Sequence, residues 1–104
     1  MTSTERRHKL SRMLHEVLGT DNVYYDPPES VEMDYPAIVY VRAKIDTREA
    51  DNLHYLTHDR YTITYIRKSA DDDMVDRILE LPYCYHDRPL VVDNLHQDVF
   101  TIYV

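Results

Sequence analysis

The sequence YPAIVYVRA occupies residues 35–43, and RYTITYIR occupies residues 60–67. Both segments are rich in β-branched and aromatic residues, which suit the pleated, half-buried surface of a strand. They predict two neighbouring strands at the centre of a sheet. Residues 44–59 lie between them and are too many for a tight hairpin turn. Connections of this length are usually functional or disordered, and the Ile, Leu and Tyr residues within this one argue against disorder. We therefore interpret residues 44–58 as an arm that contacts a partner.

A helix is predicted over residues 4–18, before the first of these strands. Thr2 and Glu5 are spaced as a capping box at its start. Gly19, the only glycine in the chain, stands where a left-handed C-cap is expected. The apolar residues that share one helical face are Leu10, Met13, Leu14, Val17 and Leu18.

A second helix is predicted over residues 70–80, after the second strand. Ser69 is the expected N-cap, and the three aspartates Asp71–Asp73 complement the positive end of the helix dipole. Pro82 prevents the helix from continuing. Its expected buried residues are Met74, Val75, Ile78 and Leu79.

Three further strands complete the predicted fold. The first covers residues 22–26, the second covers residues 83–92 with a bulge or edge at Arg88–Pro89, and the third covers residues 97–104. The resulting order, α-β-β-β-α-β-β, predicts an α+β fold in which a mostly antiparallel sheet of about four to five strands carries two helices on one face. The whole chain, residues 1–104, is expected to form a single domain.

The net charge of −7 is spread unevenly, with the surplus of acid concentrated in residues 19–59. An acidic chain is a poor candidate for gripping nucleic acid, because phosphate neutralisation needs clustered Lys and Arg. An acidic passage would still let nucleic acid slide through without sticking. The lone Cys84 excludes an intramolecular disulfide and suits a reducing compartment. No apolar run approaches the roughly 20 residues of a membrane helix, and no secretory signal is apparent, so a soluble intracellular protein is expected.

The sequence lacks the usual signatures of enzymes and cofactor sites. With one glycine it can hardly form a phosphate-binding loop, and it has neither a nucleophile elbow nor a zinc-protease helix. Cys84 and His86 could suggest a thiolate–imidazole pair, but a buried structural cysteine is the favoured interpretation. We therefore predict no enzymatic activity, no catalytic residues and no cofactor.

Two groups of side chains could in principle bind a metal ion. His54, His58 and Asp59 could do so if the two histidines shared a helix face, although surface histidines in a polar loop are the favoured interpretation. Asp71–Asp73 could bind a divalent ion, but helix capping already explains them. No metal site is therefore predicted. A small metal-binding enzyme or regulator using His54, His58, Cys84 and His86 stays as the alternative from another functional class.

The arm carries mixed charges together with aromatic and apolar residues. Such a surface suits a protein partner, since charges fix the register and aromatic residues supply contact area. A solvated loop with a few packed anchors is an equally supported alternative. The predicted interface residues are Arg42, Lys44, Asp46, Arg48, Glu49, Asp51, Asn52 and Tyr55.

Several short patterns are spread along nearly the whole chain, and none is a catalytic signature. They are the helix that ends at Gly19, NVYY at residues 22–25 with Pro27–Pro28, Met33-x-Tyr35-Pro36-x-Ile38-Val39-Tyr40, IDT at 45–47, ADN at 50–52, RYTIT at 60–64, Leu79-x-Leu81-Pro82-Tyr83, and Asp93-Asn94-Leu95-x-x-Asp98-Val99-Phe100. Together they resemble those of tail terminator or tail completion proteins of long-tailed bacteriophages, which are similar in kind to the minor tail protein of phage lambda.

This resemblance implies a structural protein of the virion tail or neck, assembled in the host cytoplasm. The chain would form a hexameric ring that caps the tail tube, ends tail elongation and offers the surface on which the head docks. Its implied partners are further copies of itself, the tail tube protein and the head–tail connector or stopper protein, with DNA passing through the lumen without specific binding. A head-completion or stopper protein on the portal side remains the alternative within the virion.

Overall fold

Two helices and five strands follow one another in the predicted order in a computed structural model of the protein. The structure describes residues 2–50 and 54–104, and the side chains of all of these except 46–50 and 54–57. The α+β fold is confirmed. The elements are α1 (Ser3–Leu18), β1 (Val23–Tyr25), β2 (Ala37–Ala50), β3 (His54–Arg67), α2 (Met74–Leu79), β4 (Cys84–Val92) and β5 (Leu95–Tyr103).

The five strands form one mixed sheet in the order β1-β2-β3-β5-β4. β1 runs parallel to β2, where Val23 pairs with Ile38, and every other neighbouring pair is antiparallel. The predicted mostly antiparallel sheet is thus confirmed. β2 and β3 are neighbours inside the sheet. The sequence predicted this position for the first half of β2 and for the second half of β3.

Both helices pack on one face of the sheet and bury the main core there. Leu10 and Leu14 of α1 and Ile78 of α2 are fully buried in the same cluster as the inward-facing strand residues. Alternate strand positions supply the other side of this core, as period-two patterning requires. These strand residues are Ile38, Tyr40, Tyr61, Ile63, Tyr65, Cys84, Phe100 and Ile102. Among the described helices, none is long and apolar enough to cross a membrane.

The first helix begins at Ser3, one residue before the predicted start, and ends at Leu18 as predicted, with both predicted caps present. The Oγ1 atom of Thr2 accepts a hydrogen bond from the backbone N–H of Glu5 at 3.1 Å. Gly19 has a φ of 78°, and its N–H donates to the carbonyl oxygen of His15. A left-handed C-cap of this kind is the reason for a glycine at that position.

The second helix is shorter than the predicted span of residues 70–80, because it begins only at Met74. Ser69 is not its N-cap, since the Ser69 hydroxyl donates to the carbonyl oxygen of Asp71. The N-cap is Asp73, whose side chain makes no capping hydrogen bond. Asp72, just before it, bonds to the first turn instead: its Oδ1 atom accepts from the N–H of Met74 at 2.7 Å, and its Oδ2 atom accepts from the Tyr65 hydroxyl at 2.5 Å.

The prediction that residues 44–59 form a loop between two separate strands is wrong. β2 and β3 continue through most of this segment as an antiparallel hairpin, from Lys44 opposite Arg60 to Ala50 opposite His54. The register shifts between Arg42 and Lys44, which marks a β-bulge. Beyond the bulge the sequence is mostly polar, so the hydrophobic alternation that signals a half-buried strand is missing.

β4 and β5 form a second hairpin with a two-residue turn. Val92 pairs with Leu95, and the two residues between them, Asp93 and Asn94, both have positive φ (52° and 64°). That geometry is typical of a type I′ turn, which favours Asn and Asp. β4 is an edge strand, as one of the two predicted alternatives has it. Its bulge lies between His86 and Arg88, just before the predicted Arg88–Pro89.

Candidate interaction site

The hairpin of β2 and β3 extends well beyond the rest of the sheet. β1 pairs with β2 only as far as Tyr40, and the β3–β5 pairing stops at Arg60. A 14-residue strand at about 3.3 Å per residue spans roughly 46 Å, close to the longest dimension of the Cα trace, 50 × 26 × 22 Å. In the described part of the chain, the hairpin past Lys44 is therefore a two-stranded ribbon with no neighbouring strand, a form that is only marginally stable alone in water.

A buried carboxylate fixes the base of this ribbon. Asp59 is completely buried, and its backbone exchanges two hydrogen bonds with Val104. Its Oδ2 atom accepts from the Ser3 hydroxyl at 2.8 Å, and its Oδ1 atom accepts from Arg6 Nη2 at 3.1 Å. Because Ser3 and Arg6 belong to the first turn of α1, this network joins the start of the helix to the point where the ribbon leaves the sheet.

Arg42 completes the network from the opposite strand. Its Nε atom lies 3.5 Å from Asp59 Oδ2, and its guanidinium donates to the Tyr61 hydroxyl at 3.2–3.3 Å. The hydrogen bond to Tyr61 raises the pKa of Arg42 further above its ordinary value. Burial raises the pKa of Tyr61, and so both groups stay in their usual protonation states at neutral pH. Arg42 was predicted as an interface residue. In the structure it links β2 to Asp59 and Tyr61 of β3 at the base of the hairpin.

The other predicted interface residues that the structure describes lie on β2 and β3. Lys44 is exposed and stands opposite Arg60. Asp46, Arg48 and Glu49 occupy β2 positions opposite His58, Leu56 and Tyr55, and the structure describes their backbone only. Asp51 and Asn52 lie outside the described residues. The described members of the predicted set therefore share one pair of strands, while their role in an interface stays a prediction.

A second buried carboxylate, Asp98, was not singled out from the sequence. Its Oδ2 atom accepts from Arg67 Nη1, and its Oδ1 atom lies 2.8 Å from His86 Nε2. Burial raises the pKa of Asp98, but the hydrogen bonds with His86 and Arg67 outweigh this effect and hold the pKa below its ordinary value. Arg67 also donates to the carbonyl oxygens of Ser69 and Ala70, so the cluster ties three strands to the turn before α2.

A sequence signal for both carboxylates exists. Asp59 stands two residues before Tyr61, and Asp98 stands two residues before Phe100, so each occupies a core-facing position in a strand that otherwise alternates apolar residues. A carboxylate at such a position requires paired partners, because an isolated buried charge is costly.

Cys84 does not form an activated thiolate–imidazole pair with His86. Burial raises the pKa of the Cys84 thiol to about 11, with a smaller contribution from Asp87. The imidazole of His86 instead contacts Asp98 and packs edge-on against Phe100, with ring centroids 5.2 Å apart. Cys84 is thus a buried structural thiol, in agreement with the favoured interpretation of the sequence.

A metal site at His54 and His58 required the two histidines to share one face of a helix, and they do not lie on a helix. Both residues belong to strand β3, where a separation of four residues amounts to roughly 13 Å of chain. The carboxylate of Asp59 is turned toward Arg6 and Ser3. Among the described residues, no group of three or more His, Cys, Asp or Glu side chains is placed to hold a metal ion.

Comparison with known proteins gives no match: no family model matches the chain, and no curated protein or solved structure is significantly similar to it. What the site can do follows from its own geometry. A two-stranded ribbon that is anchored at its base, has no described strand paired to either edge beyond Lys44 and Arg60, and has charged residues in its sequence suits contact with another protein surface.

Proposed function

We propose that this protein is a tail terminator of a long-tailed bacteriophage. It would assemble into a ring, with six copies as in the family it resembles, on the last ring of the tail tube. There it would end tube elongation and form the surface on which the head–tail connector docks. The acidic balance of the chain suits a lumen through which DNA passes without adhering.

The observation that carries this proposal is the projecting hairpin. Its ribbon leaves the sheet at Lys44 and Arg60 and is held at its base by the fully buried Asp59. Such a ribbon gains stability when it packs on a neighbouring copy or on the tube, since two strands alone are marginal. In a closed ring each contact is repeated, so a modest subunit interface becomes strong by multivalency.

The sequence patterns quoted above support the same proposal independently. They run through the strands that form the centre of the sheet, at residues 35–40 and 60–64, and through the turn at Asp93–Asn94. They are features of a structural protein and carry no catalytic motif.

The test is electron microscopy of particles made by a phage that lacks this chain. Over-long, headless tails beside filled heads are expected, because nothing would stop tube growth or join the two parts. Tails of normal length beside heads that leak DNA would place the protein on the head side, as a completion or stopper protein. Intact, infectious virions would contradict both the tail-terminator role and the head-side role.

A further inference from the structure

The face of the sheet opposite the helices, which we name the open face, is covered by no described element. Strand register places three rows of residues on it that run from β2 across β3 and β5 to β4, and a fourth row that ends on β5. Both helices join the core cluster on the other face. The uncharged residues of these rows are Ala37, Val39, Val41, Thr62, Thr64, Ile66, Gln97, Val99, Thr101, Tyr103, Tyr85 and Leu90, of which Ala37, Ile66 and Val99 are buried.

Large apolar side chains on this face remain accessible to solvent. Val41 is 38% exposed, and Tyr85 is 56% exposed at the other side of the face. Val92, two residues beyond Leu90 on β4, is 47% exposed. These exposed residues lie on β2 and β4, at the margins of the open face, where β-branched and aromatic side chains can supply contact area to a protein partner.

The charges on the open face are mainly positive, although the chain as a whole carries −7. Arg60 and Lys44 are paired at one end of the open face. Arg88 of β4 is paired with Val99 of β5. Neither Arg60 nor Arg88 makes an ion pair with a described residue. The one described carboxylate in these rows, Asp87, accepts a hydrogen bond from the Thr101 hydroxyl at 2.8 Å.

The complementary charge lies on the opposite side of the same molecule. Ile78 of α2 is buried against the helix-covered face, so the exposed side of this helix points away from the sheet. That exposed side carries Asp73, Asp76 and Glu80, with Arg77 as its one base. One side of the molecule is therefore an apolar sheet with cations, and the other side presents an acidic helix.

We propose that the open face binds the acidic outer side of α2 on a second copy of this chain. Contact between two different surfaces of identical subunits is heterologous, and such contacts generate rings when the rotation between subunits closes. The inference rests on the proposed function in one respect, since it assigns the subunit contact of the proposed ring. The neutral centre of the open face favours a protein occupant over nucleic acid, because phosphate binding needs a continuous track of cations.

The test uses two double variants of the full-length chain and measures association by sedimentation velocity. Arg60→Glu with Arg88→Glu reverses the open face, and Asp76→Lys with Glu80→Lys reverses α2. Each variant alone should raise the apparent dissociation constant about tenfold or more, since it replaces two attractive charge pairs by repulsion. Circular dichroism checks that each variant is folded. Lys9→Glu with Arg12→Glu, both exposed on α1, makes the same change in net charge as the first variant and should leave association unchanged.

Mixing the two variants gives the sharpest result. In an alternating assembly every contact again joins opposite charges, so an equimolar mixture should associate as wild type does, while each variant alone does not. Failure of the mixture to associate, or undiminished association of either variant alone, would overturn the proposed contact and leave the tail-terminator function standing.

Two further outcomes would also overturn the contact. One is a wild-type chain that stays monomeric at the highest soluble concentration. The other is binding of a fluorescent single-stranded oligonucleotide that is lost in the Arg60→Glu, Arg88→Glu variant, which would assign the open face to nucleic acid. Neither result depends on the phage phenotype, so the contact and the proposed function can fail separately.

Discussion

Asp59 has no exposed surface, and its two carboxylate oxygens hold Ser3 and Arg6 of α1. Breaking a buried ion pair by removing one partner costs more than the pair contributes, because the other charge is left without compensation. Asp59→Asn should therefore lower the free energy of unfolding by about 3 kcal/mol. Urea denaturation followed by circular dichroism measures the change.

The exposed Asp34 provides the matched control for this substitution. Asp34→Asn should change the unfolding free energy by less than about 0.5 kcal/mol, as surface substitutions usually do. Equal stability of Asp59→Asn and Asp34→Asn would show that the buried network contributes nothing at the hairpin base.

Asp98 makes stability depend on pH in the acidic range. Its folded-state pKa lies below the ordinary value of 3.8, so the unfolded chain binds its proton more readily than the folded chain does. The stabilisation by ionised Asp98 is complete above the ordinary value and is lost as the pH falls through the folded-state value. The difference in unfolding free energy between wild type and Asp98→Asn should thus shrink as the pH falls from about 5 toward about 2.5. A constant difference across this range would contradict the assignment.

Cys84 should react slowly with thiol reagents while the chain is folded. A pKa of about 11, against an ordinary 9.0, reduces the thiolate fraction about a hundredfold at pH 8, and burial reduces access further. The rate of reaction with an aromatic disulfide reagent should therefore rise by at least about a hundredfold on addition of denaturant. A native rate close to the denatured rate would revive the interpretation of Cys84 and His86 as a reactive pair.

At the scale of elements, the parts predicted from the sequence are those that bury one face. α1 shows a complete apolar stripe with both caps, and its observed bounds agree with the prediction to within one residue. The strands at residues 37–43 and 60–67 alternate between core and open face, and this pattern is detectable without a structure.

The parts that sequence patterns missed are held by long-range contacts. The far half of the hairpin has a mostly polar sequence, so no hydrophobic alternation marks it as strand. α2 lacks its predicted first turn, and there Asp72 accepts a hydrogen bond from the Tyr65 hydroxyl of β3, a side-chain contact that helix propensity does not indicate. The pairing of Asp98 with Arg67 likewise joins residues far apart in sequence.

The hairpin is the element on which the predicted partner contacts depend. Arg48→Glu in β2 combined with Asp51→Lys reverses two charges of the predicted arm, and we expect weaker ring assembly from a subunit that is still folded. Charges at an interface fix the register of the partners, so reversal introduces repulsion there. Sedimentation velocity measures assembly, and thermal unfolding followed by circular dichroism measures the fold. Unchanged assembly of this double variant would count against the hairpin as a subunit or tube contact.

At the scale of the whole molecule, the charge distribution predicts how assembly should respond to salt. A cationic open face and an acidic α2 lie on opposite sides of the sheet. Exposed charge pairs are screened as the Debye length falls from about 10 Å at 0.1 M salt to about 3 Å at 1 M. If these two sides meet, the apparent dissociation constant for self-association should rise several-fold over this range.

The apolar residues of the open face would respond in the opposite sense. Apolar contacts that residues such as Val41 and Tyr85 make with another subunit are not weakened by charge screening. Kosmotropic salts strengthen the burial of apolar surface. Sodium chloride and sodium sulfate at matched ionic strength therefore separate the two contributions. We expect weaker association in chloride than at low salt, with part of the loss recovered in sulfate. Association that is independent of both salts would mean that neither the charges nor the apolar rows of the open face form the subunit contact.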